Sequence, residues 1–126
     1  MPVETRIDTE KNLVIHTVIK GFGLADIEPA WRAMLADPDF KSGMNVLWDF
    51  RRGVHTDQFS NADMQKIMSM TAEHIRQRGA QYKLALLASR ELYFGLSRMF
   101  EAYGDDIPID IHAFRSLDEA LDWLTQ

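Results

Sequence analysis

The sequence predicts a single α/β domain over residues 1–126, with the element order β-β-α-β-α-β-α-β-α. Apolar runs at residues 45–50 and 84–88 are short and nearly continuous, which is typical of strands covered on both faces. Helical spacing of apolar residues separates the later strands. Because helices that alternate with apolar strands favour parallel pairing, we expect a mostly parallel five-stranded sheet, an N-terminal antiparallel hairpin and four helices.

The hairpin is predicted from alternating apolar and polar residues. Residues 3–8 and 13–20 both alternate, and the polar turn 9–12 separates them. The two faces of the second strand carry different side chains: Leu13, Ile15, Thr17 and Ile19 on one, and Val14, His16 and Val18 on the other.

The first two helices have recognisable ends. The first begins near Asp26, whose carboxylate can cap it, and ends before Pro38. Its predicted buried face carries Leu24, Ile27, Trp31, Met34 and Leu35. The second begins at Ser60, an N-cap with Asp63 three residues later, and ends at Gly79. Its predicted buried face carries Met64, Ile67, Met68, Thr71 and Ile75.

The C-terminal third predicts a helix, a strand and a last helix. Ser89 caps the first of these helices and Gly104 ends it. Its apolar face carries Leu92, Leu96, Met99, Phe100 and Tyr103. Residues 107–114 alternate, as an outer strand with one wetter face does. Ser116 and Glu119 form a capping-box pattern before a helix that buries Leu117, Ala120, Leu121 and Leu124.

The topology has a consequence for function. If successive strands lie side by side, right-handed crossovers place every connecting helix on the same face of the sheet. We therefore expect the other face to be covered only in part, by loops, a ligand or a second chain.

Composition excludes several classes of protein. The net charge of −5 argues against nucleic acid as the main partner. The absence of cysteine excludes disulfides and thiolate metal sites, and no histidine pair has the spacing of a helical metal site. No apolar run is long enough to span a membrane, and the polar N-terminus predicts a cytoplasmic protein. Since no motif of nucleophilic, nucleotide-binding or cofactor-binding sites occurs, we expect no enzyme, metal or cofactor.

Three stretches are similar to a known family. Residues 46–51 (Val-Leu-Trp-Asp-Phe-Arg), 85–100 and 114–124 resemble the third strand, the fourth strand with its helix, and the closing strand and helix of the STAS domain. This domain is named for sulfate transporters and anti-sigma-factor antagonists. The sequence is more closely similar to the SpoIIAA-like group of small bacterial proteins, which implies the fold predicted above.

The resemblance also implies a functional loop after the third strand. In the anti-sigma-factor antagonists this loop carries an Asp-Ser-Ser-Gly-type motif whose serine is phosphorylated, whereas residues 53–63 here contain no such motif. Ser60 lies near the matching place. A phosphate there would meet the positive end of a helix, and the alternative is a plain N-cap hydroxyl.

Two arginines in the same loop are candidate ligand or partner residues. Arg51 and Arg52 follow the third strand, and ligands of open α/β sheets gather at the carboxyl ends of strands. Their guanidinium groups suit a carboxylate or phosphate. The alternative is that they pair with Asp49, Asp57 or other surface acids. If they bind, replacing both by alanine weakens binding and changes stability little.

Four apolar residues lie off the predicted helix faces and indicate a contact surface: Met70, Tyr93, Phe94 and Trp123. Methionine and aromatic residues outside a core are common at interfaces, so the sequence predicts a homodimer, which sedimentation at tens of micromolar tests. The alternative is that the helices bury wider faces than assigned.

Together these observations favour a non-enzymatic binding or regulatory domain that acts through a protein partner or a small ligand. The alternative is a carrier or sensor of an apolar, lipid-like molecule, which is favoured by the partly open sheet face and by the resemblance of the SpoIIAA-like group to lipid-carrier folds. An enzyme ranks third.

Overall fold

The computed structural model describes residues 3–19, 22–52, 61–89, 95 and 109–126. In these residues the strands are β1 (Val3–Asp8), β2 (Leu13–Val18), β3 (Asn45–Asp49), β4 (Lys83–Leu87) and β5 (Asp110–Phe114). The helices are α1 (Ile27–Ala36), α2 (Asn61–Glu73), α3 (Ile75–Arg78) and α4 (Leu117–Leu124). Every described helix is too short or too polar to cross a membrane.

The five strands form one sheet in the order β1-β2-β3-β4-β5. β1 and β2 pair antiparallel, and all later neighbours pair parallel. The predicted α/β class, the hairpin and the mostly parallel sheet are therefore confirmed. Of the helix predicted to follow Ser89, only Gly95 belongs to the described residues, and it is helical.

The hairpin turn depends on one residue with a left-handed backbone. Asn12 has φ 55°, a conformation that asparagine tolerates better than most residues. The turn fixes a register in which Arg6 faces Ile15 and Asp8 faces Leu13 across the strands. Paired residues share a face of the sheet, so these charged side chains lie beside apolar ones.

Helix α1 differs from its prediction at the start. A short 3₁₀ turn, Leu24–Asp26, precedes it, and Leu24 is 43% exposed rather than buried. The Asp26 carboxylate accepts a hydrogen bond from the backbone N–H of Gly23 (2.8 Å) and caps no N–H of α1. The predicted end is confirmed, because the chain becomes extended at Asp37, directly before Pro38.

The predicted buried face of the second helix is partly wrong. Met70 is only 4% exposed and belongs to the core, whereas Ile75 is 37% exposed. Ile67, Met70 and Thr71 follow the i, i+3, i+4 spacing of one buried helix face. The helix is interrupted at His74 (φ −111°, ψ 22°), and Ile75 is the first residue of the short helix α3.

The sheet has two unlike faces. The first face carries Val14, Val18, Val46, Trp48, Leu84 and Leu86 and packs against α1 and α2 in a large core cluster. The second face carries Leu13, Leu47, Ala85 and Leu87 and packs against Ala120 and Leu124 of α4. Helix α4 packs mainly on β3, β4 and β5, so among the described helices none packs chiefly on β1 and β2 at the second face.

Candidate functional site

The arginine that follows β3 is already paired. Arg51 Nε and Nη2 donate to Asp49 Oδ1 and Oδ2 at 3.0 and 2.9 Å, and the Arg51 backbone N–H also donates to Oδ1 at 3.0 Å. The hydrogen bond to Asp49 raises the pKa of Arg51. This geometry matches the alternative in which Arg51 serves as the counter-ion of Asp49.

Most of the rest of the predicted loop site lies outside the described residues. Arg52 is exposed, whereas Ser60 lies outside the described residues. The loop therefore stays a prediction as a ligand or partner site. The structure shows that one of its two arginines, Arg51, already forms an ion pair with Asp49.

The predicted contact surface is reduced to one described residue. Met70 is buried in the core, and Tyr93 and Phe94 lie outside the described residues. Trp123 is half-buried beside Lys83, whose Nζ donates to the Trp123 carbonyl at 2.8 Å and lies 5.3 Å from the ring centre. His112 and Phe114 also pack against the Trp123 ring. The homodimer stays a prediction.

A cleft of about 210 Å³ opens on the part of the second face that α4 does not cover. We call it the second-face cleft. Its floor is formed by Leu13, Ile15, Thr17 and Leu47. Leu117 and Leu121 of α4 form one wall. Leu13 and Leu47 are almost fully buried, while Ile15, Leu117 and Leu121 are half-buried, so the cleft presents accessible apolar surface.

Four charged residues surround this apolar floor: Arg6, Asp8, Lys11 and Asp49. Asp8 accepts a hydrogen bond from the backbone N–H of Lys11 (3.2 Å), and Asp49 is occupied by Arg51. Neither Arg6 nor the Lys11 ammonium forms an ion pair with a described residue. Asp8 has no ion-pair partner among the described residues either, so the two cations exceed it by one charge and the net unpaired charge of this rim is positive.

Sequence reasoning missed this site because it searched strand ends and helix starts. The signal was present in the hairpin, since its register places Arg6 beside Ile15 and Asp8 beside Leu13. Among the expectations from the sequence, only that of a partly covered face of the sheet indicated the region of the second-face cleft. That expectation holds for the described residues, where the second face is open over β1 and β2.

The first face holds a histidine that is buried among aromatic rings. His16 is 1% exposed, its ring stacks 4.2 Å from that of Trp48, and its Nδ1 is hydrogen-bonded to Thr5 Oγ1 at 2.9 Å. Burial, and then the charge of Arg78, lower the pKa of His16 to about 3. The imidazole is therefore neutral at neutral pH. Within the described residues, no three His, Asp or Glu side chains are grouped closely enough to hold a metal ion.

Comparison with known proteins gives one structural likeness. The chain resembles an uncharacterized protein from the DUF3478 family with a SpoIIAA-like fold from Shewanella loihica PV-4, with a TM-score of 0.60 over 97% of this chain and 91% of that chain. No family model matches the sequence, and no curated protein matches it. At 15% identity, the likeness concerns the fold and not the function. Strand order, strand pairing and this likeness agree, and the chain has a SpoIIAA-like fold.

Proposed function

We propose that the protein is a non-enzymatic binding protein for a small amphipathic anion, whose apolar body lies in the second-face cleft and whose anionic group meets Arg6 and Lys11. The observation that carries this proposal is the combination of an apolar floor with two cations that have no described ion-pair partner. A purely apolar ligand would leave those cations unused, and a purely polar one would leave the floor exposed.

The size of the cleft favours a short ligand. Sites for drug-sized molecules measure roughly 300–1,000 Å³. The second-face cleft measures about 210 Å³, so it suits a short acyl chain or a single ring rather than a drug-sized molecule. Burial of such a body contributes about 0.8 kcal/mol per CH₂ group, which supports weak and reversible binding.

The charge pattern sets the orientation of the ligand. At the β3 end of the cleft, Asp49 and Arg51 neutralise each other. At the hairpin end, Arg6 and Lys11 carry two positive charges against the single negative charge of Asp8, whose carboxylate accepts from the backbone N–H of Lys11. A carboxylate or phosphate is therefore favoured at the hairpin end, with the apolar body along β2 towards α4.

An NMR titration of the ¹⁵N-labelled protein with octanoate tests the proposal. Saturable shifts are expected at backbone amides of β2 and α4, around Ile15 and Leu121. The uncharged analogue 1-octanol should bind more weakly because it lacks the anionic group. Replacing both cations, Arg6→Gln with Lys11→Gln, should weaken octanoate binding about ten-fold.

Arg32→Gln is the matched control. Arg32 is an exposed arginine of α1, the helix on the other side of the sheet, and its partner is Glu28. This variant should bind octanoate like the wild type. Octanoate shifts confined to α1 and α2, or an affinity that ignores the loss of Arg6 and Lys11, would contradict the proposed site.

A further inference from the structure

A second feature lies on the first face and is independent of the second-face cleft. Arg78, the last residue of α3, is only 1% exposed. Its guanidinium lies 3.6 Å from the centre of the Tyr82 ring and 5.4 Å from that of Phe40. Arginine is almost never buried to this extent unless it is paired with an anion.

No described anion accompanies this guanidinium. Both terminal nitrogens, Nη1 and Nη2, are buried without a hydrogen-bond partner. The nearby hydroxyl groups are engaged with each other, since Tyr82 Oη lies 3.4 Å from Thr71 Oγ1, which donates to the Ile67 carbonyl. Burial lowers the pKa of Arg78 only to about 10, so the group is still a cation at neutral pH.

Stacking on Tyr82 offsets only part of the cost of this burial. A cation over an aromatic face gains about 2 kcal/mol when desolvated, whereas a buried, unpaired ion costs several kcal/mol. The rings contact the guanidinium plane and leave its N–H edge unused. That edge is the part of arginine that matches the two oxygens of a carboxylate or phosphate.

The backbone around Arg78 keeps the side chain inside. The Arg78 carbonyl accepts a hydrogen bond from the Gly43 N–H at 2.8 Å. Gly79, with φ 89°, passes so close to this segment that a Cβ atom would lie 2.6 Å from the Gly43 nitrogen. This close approach of two backbone segments fixes the position of the chain directly after Arg78.

Among the described residues, the buried side-chain atoms without a partner all have the same character. They are Arg78 Nη1, Arg78 Nη2 and Trp31 Nε1, and each is an N–H donor. Trp31 belongs to the same core cluster as Tyr82, and its ring lies 6.1 Å from that of His74, one helical turn before Arg78. The hydrogen-bond partners that these donors lack are therefore acceptors.

We propose that the Arg78 guanidinium edge binds a small oxyanion, a carboxylate or a phosphate group, inside the first face of the domain. The anion accepts from Nη1 and Nη2 while Tyr82 covers the guanidinium plane. This site needs no ligand in the second-face cleft, so either site can fail without the other.

Thermal unfolding with inorganic phosphate or acetate, each compared with chloride at equal ionic strength, tests the proposal. The wild-type Tm should rise by roughly 3–6 °C at saturation with the preferred anion, because binding to the native state stabilises it. NMR signals of the Tyr82 ring should shift saturably over the same concentrations. Phosphate and acetate distinguish the two kinds of oxyanion.

Two variants separate an anion site from a structural arginine. Arg78→Met keeps length and apolar contacts, and its Tm should not respond to either anion. Arg76→Met removes an exposed arginine of the same helix and should respond like the wild type. The double variant Arg6→Gln, Lys11→Gln should also keep the response, which separates this site from the cleft.

The wild type alone is sufficient to overturn the proposal. If neither anion raises its Tm above the chloride value and the Tyr82 signals stay in place, Arg78 is a structural cation. An anion response that is unchanged in Arg78→Met would likewise assign the effect to another site. Should Arg78→Met fail to fold, Arg78→Lys is the variant to use, and it should bind the anion several-fold more weakly because it lacks the planar fork.

Discussion

The two faces of the sheet handle polar side chains in opposite ways. On the first face, helices α1 and α2 enclose His16 and Arg78 so completely that each is only 1% exposed. On the second face, α4 packs mainly on β3, β4 and β5, and Arg6 and Lys11 are exposed at the rim of an apolar cleft. The same sheet thus has a closed side and a half-open side.

The difference between the two faces determines whether a binding site lowers the stability of the protein before its ligand binds. A charge at a half-open surface keeps its hydration until a ligand arrives, so the second-face cleft costs the folded protein little. A charge inside the closed side has lost water already and lacks a described partner. An anion that reaches Arg78 therefore stabilises the fold itself, whereas a ligand of the cleft mainly covers existing surface.

The largest expected effect compares two tryptophans. Trp48 on the first face is 1% exposed, and Trp123 beside the second face is half-buried. Trp48→Ala should lower the free energy of unfolding by about 3–5 kcal/mol, because it removes a full set of core contacts and leaves a cavity. Trp123→Ala should cost less than half as much. Urea denaturation measures both, and equal losses would show that the two sides are equally closed.

The next effect comes from the neutral histidine of the first face. The folded pKa of His16 is about 3, whereas an unfolded imidazole titrates near 6.5. Between these values the unfolded state binds more protons, so stability rises with pH and falls as the solution is acidified. The slope approaches about 1.4 kcal/mol per pH unit once the unfolded imidazole is mostly protonated, which gives a loss of about 2 kcal/mol between pH 6.5 and pH 4.5.

His16→Gln isolates this contribution from that of the carboxylates. The variant loses the stack on Trp48 and is expected to be less stable at pH 7. Its stability should, however, depend less on pH between 6.5 and 4.5 than that of the wild type. Urea denaturation at several pH values measures the stability of both proteins. If the two stabilities changed equally with pH, the proton equilibrium of His16 would lie outside the range between pH 6.5 and pH 4.5.

The fold was predictable where burial leaves a simple pattern. β3 and β4 are covered on both faces, so they appear in the sequence as continuous apolar runs. The burial of Arg78 was not predictable, because Ile-Arg-Gln-Arg resembles a solvated helix end and the close approach of Gly79 to Gly43 leaves no pattern in the sequence. Ile75 was misassigned for a related reason, since helical periodicity assumes an uninterrupted helix.

That approach of two glycines gives a matched pair of variants. Gly43 (φ 86°) and Gly79 (φ 89°) share a positive φ, but a Cβ at Gly43 would meet nothing within 4 Å. Gly43→Ala should cost about 1–2 kcal/mol from the left-handed backbone alone. Gly79→Ala should cost clearly more, because its Cβ would clash with backbone atoms. Equal Tm losses would mean that this contact does not hold the segment around Arg78.

The smallest expected effect concerns the arginines that follow β3. Arg51 is 40% exposed at its side chain and pairs with Asp49, so this ion pair contributes at most about 1 kcal/mol. Arg51→Ala should therefore change the urea midpoint only slightly, and it should leave Asp49 as an unneutralised carboxylate at the β3 end of the cleft. That added negative charge should weaken octanoate binding several-fold through repulsion. Arg52→Ala is the control because Arg52 has no described carboxylate partner. Tighter octanoate binding by Arg51→Ala would contradict the placement of an anionic group in the cleft that Asp49 lines.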